Sequence, residues 1–354
     1  MPAAHGQAIN ALSLKRVHAI TALLNRQFLL AQRPVGLPSR DTFSFVKTSV
    51  GEPAAGQILV KNAYLSLDPA MRGWMNDAKS YIPPVGLGEV VRALGVGEVI
   101  ASQHPDFAVG DFVNGALGVQ DYFLGEPGGF YKVDPKRTPL PLYLSALGMT
   151  GMTAYFALLD VGAPKAGETV VISGAAGAVG SVAGQIGKLK GCRVVGIAGG
   201  ADKCKFLIDE LGFDGAIDYK NEDVIAGLKR ECPKGVNVYF DNVGGDILDA
   251  VLTRLAFKAR VVICGAISQY NNKQAIKGPA NYLNLLVNSA RMEGMVVMTY
   301  APRFAEAAAE MGGWLASGQL TSKKDIVSGL QTFPETLLKL FSGENFGKLV
   351  LKVE

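Results

Sequence analysis

Hydrophobic and polar positions follow two different rhythms along this chain. Between residues 57 and 131 the apolar runs are short. Ile58-Leu59-Val60-Lys61, Gly97-Glu98-Val99-Ile100 and Asp111-Phe112-Val113 are each closed within a few residues by Gly or Pro. That punctuation predicts strands of a compact, barrel-like β unit. Phe107-Ala108-Val109-Gly110-Asp111-Phe112-Val113 reads as a turn feeding one of them. Near Leu140 the rhythm changes. From Thr169 onward, β-branched runs alternate with helical stretches. Strands are predicted at Thr169-Val170-Val171-Ile172-Ser173, Arg193-Val194-Val195-Gly196-Ile197, Gly215-Ala216-Ile217-Asp218, Val236-Asn237-Val238-Tyr239-Phe240 and Arg260-Val261-Val262-Ile263-Cys264, with helices over 179–190 and 203–211. Such βαβ alternation implies a parallel, doubly wound sheet. After about Ser317 the tail ends in Lys348-Leu349-Val350-Leu351-Lys352-Val353, an alternating strand that would return to the first unit. The expected layout is an α/β protein: an N-terminal extension over 1–24 without fixed order, a β-rich domain over 25–140 and 318–354, and a Rossmann domain over 141–317.

The strand at Val170–Ser173 runs directly into Gly174-Ala175-Ala176-Gly177-Ala178-Val179-Gly180 and then into a helix. This is the place and spacing of a dinucleotide-binding fingerprint, with Ala175 where the first glycine usually stands. Gly177 would let the backbone approach a pyrophosphate, and Gly180 would let the helix pack on the strand. The helix N-terminus would then hold the phosphates. A glycine pattern alone is weak evidence. The strand before it, the helix after it and the further βαβ units strengthen it.

The next strand ends in Ile197-Ala198-Gly199-Gly200, without the acid that an NAD site uses to bond the ribose 2′-OH. Asp202 comes later and reads as an N-cap. Lys203 follows it, and a cation there favours a 2′-phosphate. The cofactor expected is NADPH. The alternative for Lys203 is a solvated helix residue.

Composition narrows the function. The 354 residues are 49% hydrophobic and 19% charged, which suits a folded protein of two domains. The net charge of +4 is spread along the chain, with no dense basic stretch, so nucleic acid is not an expected partner. No apolar run approaches the roughly 18 to 20 residues of a membrane span. Lys15, Arg16, Arg26, Arg33 and Arg40 precede or accompany a first acid only at Asp41. An organellar transit peptide carries such a bias; an unordered arm or an upstream start is the simpler reading. Cys192, Cys204, Cys232 and Cys264 make no CxxC pair and read as buried thiols in a reducing compartment, the cytoplasm. The only histidines are His5, His18 and His104, and the N-terminal half has no cysteine. That inventory cannot supply the three or four ligands of a dehydrogenase zinc, so no metal is expected.

Five separated motifs occur in order: Tyr64-Leu65-Ser66-Leu67-Asp68-Pro69-Ala70-Met71-Arg72, Leu147-Gly148-Met149-Thr150-Gly151-Met152-Thr153-Ala154-Tyr155, Val238-Tyr239-Phe240-Asp241-Asn242-Val243-Gly244-Gly245, Cys264-Gly265-Ala266-Ile267-Ser268-Gln269-Tyr270-Asn271 and Gly343-Glu344-Asn345-Phe346-Gly347-Lys348. Together they resemble the zinc-independent medium-chain dehydrogenases/reductases, in the group of prostaglandin reductases, leukotriene B4 12-hydroxydehydrogenase and bacterial curcumin reductases. The resemblance runs from about Asn25 to the C-terminus. It departs from the usual pattern at Ala70, where a larger aromatic is common, so the acceptor preference is open.

The resemblance implies a GroES-like β-rich domain beside the Rossmann domain. It implies that Ala176, Gly177, Ala178 and Val179 bind the pyrophosphate, Lys203 and Tyr219 the 2′-phosphate, and Asn242 the region of a ribose. Cys264, Gly265, Ala266, Ile267, Ser268, Gln269 and Tyr270, with Met295, Val296 and Val297, would line the nicotinamide, and Asn345 would reach the same end. Tyr64 and Tyr270 would face the substrate. Read without the family, Tyr219 is equally an edge aromatic, Asn242 a turn residue, Cys264 core, and 295–297 a buried strand.

The reaction implied is reduction of the carbon–carbon double bond of an α,β-unsaturated ketone or aldehyde. Such chemistry needs alignment and a hydrogen-bond donor for the developing enolate oxygen. Tyr270 is the first candidate donor and Tyr64 the second. The alternatives are an NADPH:quinone oxidoreductase and a non-catalytic NADPH-binding relative. A homodimer is expected by analogy with the family.

Overall fold

The computed structural model describes residues 23–354; the extension over 1–24 falls almost wholly outside the described residues. The chain opens with an antiparallel pair, β1 (Leu24–Leu30) and β2 (Phe43–Ser49). β3 (Ile58–Ser66) follows, then the short helix α1 (Ala70–Trp74). Next come β4 (Gly95–Ser102), β5 (Phe112–Gly115), β6 (Tyr122–Gly125) and β7 (Tyr131–Val133). β3 pairs antiparallel with β4 and with β6, and β4 with β5. Strands β3 and β4 run longer than their apolar runs suggest, because bulges within the β3–β4 ladder let the pairing continue past a change of register.

Helix α2 (Met149–Phe156) continues through a π-helical turn over Ala157–Gly162. The parallel unit then runs β8 (Thr169–Ser173), α3 (Ala178–Leu189), β9 (Arg193–Ala198), α4 (Ala201–Asp209), β10 (Gly215–Asp218), α5 (Val224–Glu231), β11 (Val236–Asp241), α6 (Gly245–Leu252), β12 (Leu255–Ile263), α7 (Leu283–Val287) and β13 (Arg291–Gly294). Among the described residues its strands form one sheet in the order β10-β9-β8-β11-β12-β13. Burial on both faces explains the unbroken apolar runs. Val170 and Ile172 of β8, with Val238 and Phe240 of β11, enter the core under α2 and α3. Val171 and Tyr239, between them, enter the opposite core with Leu228 and Val251.

The chain leaves this unit through α8 (Phe304–Ala316), β14 (Lys324–Ser328), α9 (Phe333–Ser342) and β15 (Lys348–Lys352). β15 pairs antiparallel with β3, and Phe333 and Leu337 of α9 enter the β-rich core. The architecture is a β-rich GroES-like unit beside a Rossmann-type parallel sheet.

Two local expectations need correction. Helix α4 begins at Ala201 with Gly200 at the N-cap position, φ +101° and no side-chain cap. Asp202 therefore lies inside the first turn, where its carboxylate faces the positive helix end. Met295, Val296 and Val297 are not a buried strand. β13 stops at Gly294, and Val297 opens a 3-10 turn.

Candidate active site

The strand order reverses between β8 and β11, and the loops after these two strands lie side by side. Ligands of open α/β sheets bind at such a switch point. Gly174 turns the chain at φ +59°. Helix α3 starts at Ala178 with no side chain capping it, so its first-turn N–H groups are available to an anion. At Gly180 an added Cβ would lie 2.5 Å from Gly174 O and 2.8 Å from Ala175 Cα. Only glycine lets the helix close on the turn.

Buried side chains tie the two loops together. Asp241 is fully buried, and its Oδ1 accepts from Ser173 Oγ at 2.9 Å, Tyr239 Oη at 2.8 Å, and the Val243 and Gly244 amides at 3.0 Å. Ser173 Oγ in turn accepts the Asn242 N–H, and Asn242 Nδ2 donates to Ser173 O at 2.8 Å. Asn242 is thereby held at the seam.

Lys203 and Tyr219 meet at the far end of the same loops. Lys203 Nζ donates to Gly343 O at 2.7 Å, from the returning C-terminal segment. Burial, then the charge of Lys220, holds its ammonium below the ordinary lysine range. The Tyr219 ring lies against Gly199, where a Cβ would come within 2.9 Å of it. The nearest acid in the turn, Asp218 at the end of β10, is already occupied. Its Oδ1 accepts from the Gly200 and Lys220 amides and its Oδ2 from Asn221 Nδ2. A carboxylate so engaged is a poor partner for a ribose diol, while two lysines suit a phosphate.

At the opposite end, the loop over 264–270 carries Tyr270 into the cleft. Its hydroxyl oxygen accepts the Ala266 N–H at 3.1 Å. Burial raises this phenol above its ordinary pKa, against the pull of that N–H; Cys264, Tyr81 and Asp241 add to the rise. Burial also pushes the Cys264 thiol up to about 12, with Asp241 adding to it, so it stays a neutral wall residue. Gly347 N donates to Ala176 O at 2.8 Å and brings Asn345 to the same cleft.

These residues line one continuous cleft of 1820 Å³. Pockets for single small ligands usually span about 300–1,000 Å³, so there is room for a dinucleotide and an acceptor together. Ala176 to Val179, Lys203, Tyr219, Asn242, Cys264, Gly265, Ile267 to Tyr270, Met295 to Val297 and Asn345 all lie on it. Ala266 does not, and acts through its amide. Pro69, Ala70, Trp74, Tyr81 and Arg92 of the β-rich unit also line the cleft.

The structure does not bring Tyr64 to the cleft. It lies on β3 opposite Lys352, with its ring packed on Val96, Leu144 and Val350. Tyr81, 61% exposed, does line the cleft and lies near Tyr270; its hydroxyl accepts Trp74 Nε1–H at 3.3 Å. Sequence reasoning missed it. Its only signal was an aromatic placed just before Pro83-Pro84, which reads as an ordinary turn.

Among the described residues, no group of three His, Cys, Asp or Glu is placed to hold a metal, and no helix is long and apolar enough to cross a membrane.

Comparison with known proteins places this geometry. Residues 26–133 match the family described as N-terminal domain of oxidoreductase, and residues 178–312 match the family described as zinc-binding dehydrogenase. The chain is 42% identical to an NADPH-dependent curcumin reductase of Escherichia coli, across 93% of this chain and 97% of that one. It is 39% identical to an NADP(+)-dependent 2-alkenal reductase of Nicotiana tabacum over the same shares. The structure superimposes on a crystal structure of CurA in complex with NADPH from Vibrio vulnificus with a TM-score of 0.89 and 44% identity, covering 93% of this chain and 99% of that one. The chain therefore belongs to the medium-chain dehydrogenase/reductase family, in the group of NADP-dependent curcumin and 2-alkenal reductases.

Proposed function

We propose that this protein reduces the carbon–carbon double bond of α,β-unsaturated ketones and aldehydes with NADPH. The carrying observation is the Tyr270 hydroxyl: its oxygen accepts a backbone N–H, so its own proton is free to donate into the cleft. When bound in the cleft, NADPH would supply the hydride needed at the substrate β-carbon. Tyr270 donates a hydrogen bond to the carbonyl oxygen as it gains enolate charge, and keeps its proton because burial disfavours the phenolate. The α-carbon takes its proton from water. Tyr81, across the cleft, orients the carbonyl. The α3 N-terminus with Gly177 holds the pyrophosphate, Lys203 and Tyr219 the 2′-phosphate, and Asn242 and Asn345 the nicotinamide half. The engaged Asp218 and the space kept by Gly180 support this fit.

The test follows NADPH oxidation with a conjugated enone and, in parallel, a simple benzoquinone, with product analysis by NMR. A saturated ketone carrying deuterium at the β-carbon from labelled NADPH is expected. An allylic alcohol, or turnover with the quinone alone, overturns the reading.

The same reading includes a cytoplasmic homodimer. Strand β13 is a sheet edge, paired on one side only with β12. Near it in the chain, Leu286 and Val287 are 77% and 73% exposed. An open edge next to bare apolar side chains suits pairing with a second copy. A concentration-independent monomer mass by light scattering would contradict this. Free thiols at Cys192 and Cys232, both buried, suit a reducing compartment, and cell fractionation checks it.

A further inference from the structure

Lys348 is 1% exposed and its ammonium is engaged twice. Nζ donates to Leu67 O and to Asp68 Oδ1, each at 2.7 Å. Asp68 also accepts a hydrogen bond from the Ser66 hydroxyl. The residues on either side are equally constrained. Gly347 N donates to Ala176 O, and Gly347 forms a parallel bridge with Gly177. Its φ is +62°, and a Cβ there would lie 2.1 Å from Lys323 O. Leu349 O accepts the Leu67 N–H at 3.2 Å. Within three residues the chain thus touches the pyrophosphate loop at one end and the start of the acceptor wall, Leu67-Asp68-Pro69-Ala70, at the other.

We propose that Lys348 is a positioning residue. Through Asp68 it sets the acceptor wall relative to the pyrophosphate loop, and so sets how a bound enone meets the cofactor. This rests on the enone reading for its substrate only. The physical argument is one of cost. A fully buried ammonium and a half-buried carboxylate contribute little net stability, because desolvation offsets most of their attraction. What the pair does supply is a fixed attachment of the chain leaving β3 to the start of β15, whose preceding residue, Gly347, is bridged to the pyrophosphate loop of the other sheet. Hydride transfer is steeply sensitive to such distances: a displacement of about 1 Å can cost about 100-fold in rate. Burial presses the Lys348 ammonium below the ordinary lysine range, and Asp68 supports its charge.

The experiment compares Lys348→Met, Asp68→Asn and the double variant by three readouts: NADPH affinity by fluorescence titration, thermal midpoint, and single-turnover NADPH oxidation at saturating acceptor. Lys348→Met should slow the single turnover at least tenfold and leave the NADPH dissociation constant within about threefold. Its thermal midpoint should fall, because the half-buried Asp68 carboxylate is left with the Ser66 hydroxyl and no cation. The double variant should regain the midpoint and not the rate. A parental single-turnover rate in Lys348→Met overturns the proposal, as does a rate that recovers with the midpoint in the double variant. If Lys348→Met does not fold, the near-isosteric Asp68→Asn decides by the same criterion. The rate is read with whichever acceptor the parent reduces, enone or quinone, so failure of the enone reading and failure of the positioning role are separate results.

Discussion

The hydroxyl oxygen of Tyr270 lies 3.1 Å from the Ala266 backbone nitrogen and accepts its N–H. The phenol proton is not used in this bond and is free to donate elsewhere. Tyr270→Phe removes that donor, together with the acceptor of the Ala266 N–H, and keeps the ring. It should slow single-turnover enone reduction about tenfold or more, an estimate scaled down from the roughly 100- to 1000-fold seen for single oxyanion donors, with NADPH affinity unchanged. Tyr81→Phe should act mainly on enone KM, and Tyr64→Phe should match the parent. A parental rate in Tyr270→Phe would assign the oxygen's donor elsewhere.

The raised pKa of Tyr270 has a pH consequence. A donor whose pKa is raised stays protonated through the neutral range and loses its proton only above the ordinary tyrosine value of about 10. The rate of the hydride step should hold across neutral pH and fall only as pH rises past that value. Tyr270→Phe should lack this alkaline limb. A fall near pH 8 that disappears in Tyr270→Phe would contradict the direction of the shift.

Lys203 predicts cofactor discrimination. Lys203→Ala should raise the NADPH KM tenfold or more and leave the NADH KM nearly unchanged. Because burial lowers the pKa of this ammonium, the preference for NADPH should decay as pH rises through a point below the ordinary lysine value of about 10.4. Steady-state KM ratios across pH, in the parent and the variant, check both statements. Equal effects on both cofactors would remove the 2′-phosphate role.

Gly180→Ala tests the turn. The added methyl would sit 2.5 Å from Gly174 O, a backbone atom that cannot swing aside. Overpacking of this kind costs about 1–3 kcal/mol, or a drop of roughly 2–4 °C in thermal midpoint per kcal/mol in a domain of this size. NADPH affinity should fall with it, because the helix N-terminus is displaced. Differential scanning calorimetry and a fluorescence titration read the two effects.

Much of this protein was legible in its sequence, for local reasons. Thr169–Ser173 is a strand with the ends that its apolar run suggests, because a strand buried on both faces admits little else, and Gly215–Asp218, buried at alternate residues, keeps its ends too. The turn at Gly174–Gly180 could be read because its glycines answer to backbone contacts a few residues away. The absence of an acid after Ala198 was legible too. That Asp218 is nearby but fully engaged was not, since its partners depend on how β10 lies beside β9. The tyrosines show the limit most directly. Tyr64 and Tyr81 are both aromatics beside motif residues, and no local pattern separates them. Tyr64 lies on β3, and the pairing of that strand with β15 carries its ring into a separate apolar cluster. Tyr81 follows α1 in a loop, and only the closure of the β-rich unit against the parallel sheet brings it near Tyr270. The pair of Lys348 and Asp68, 280 residues apart, has the same origin. Sequence periodicity reports which face of an element is apolar; which two faces meet is decided by long-range packing.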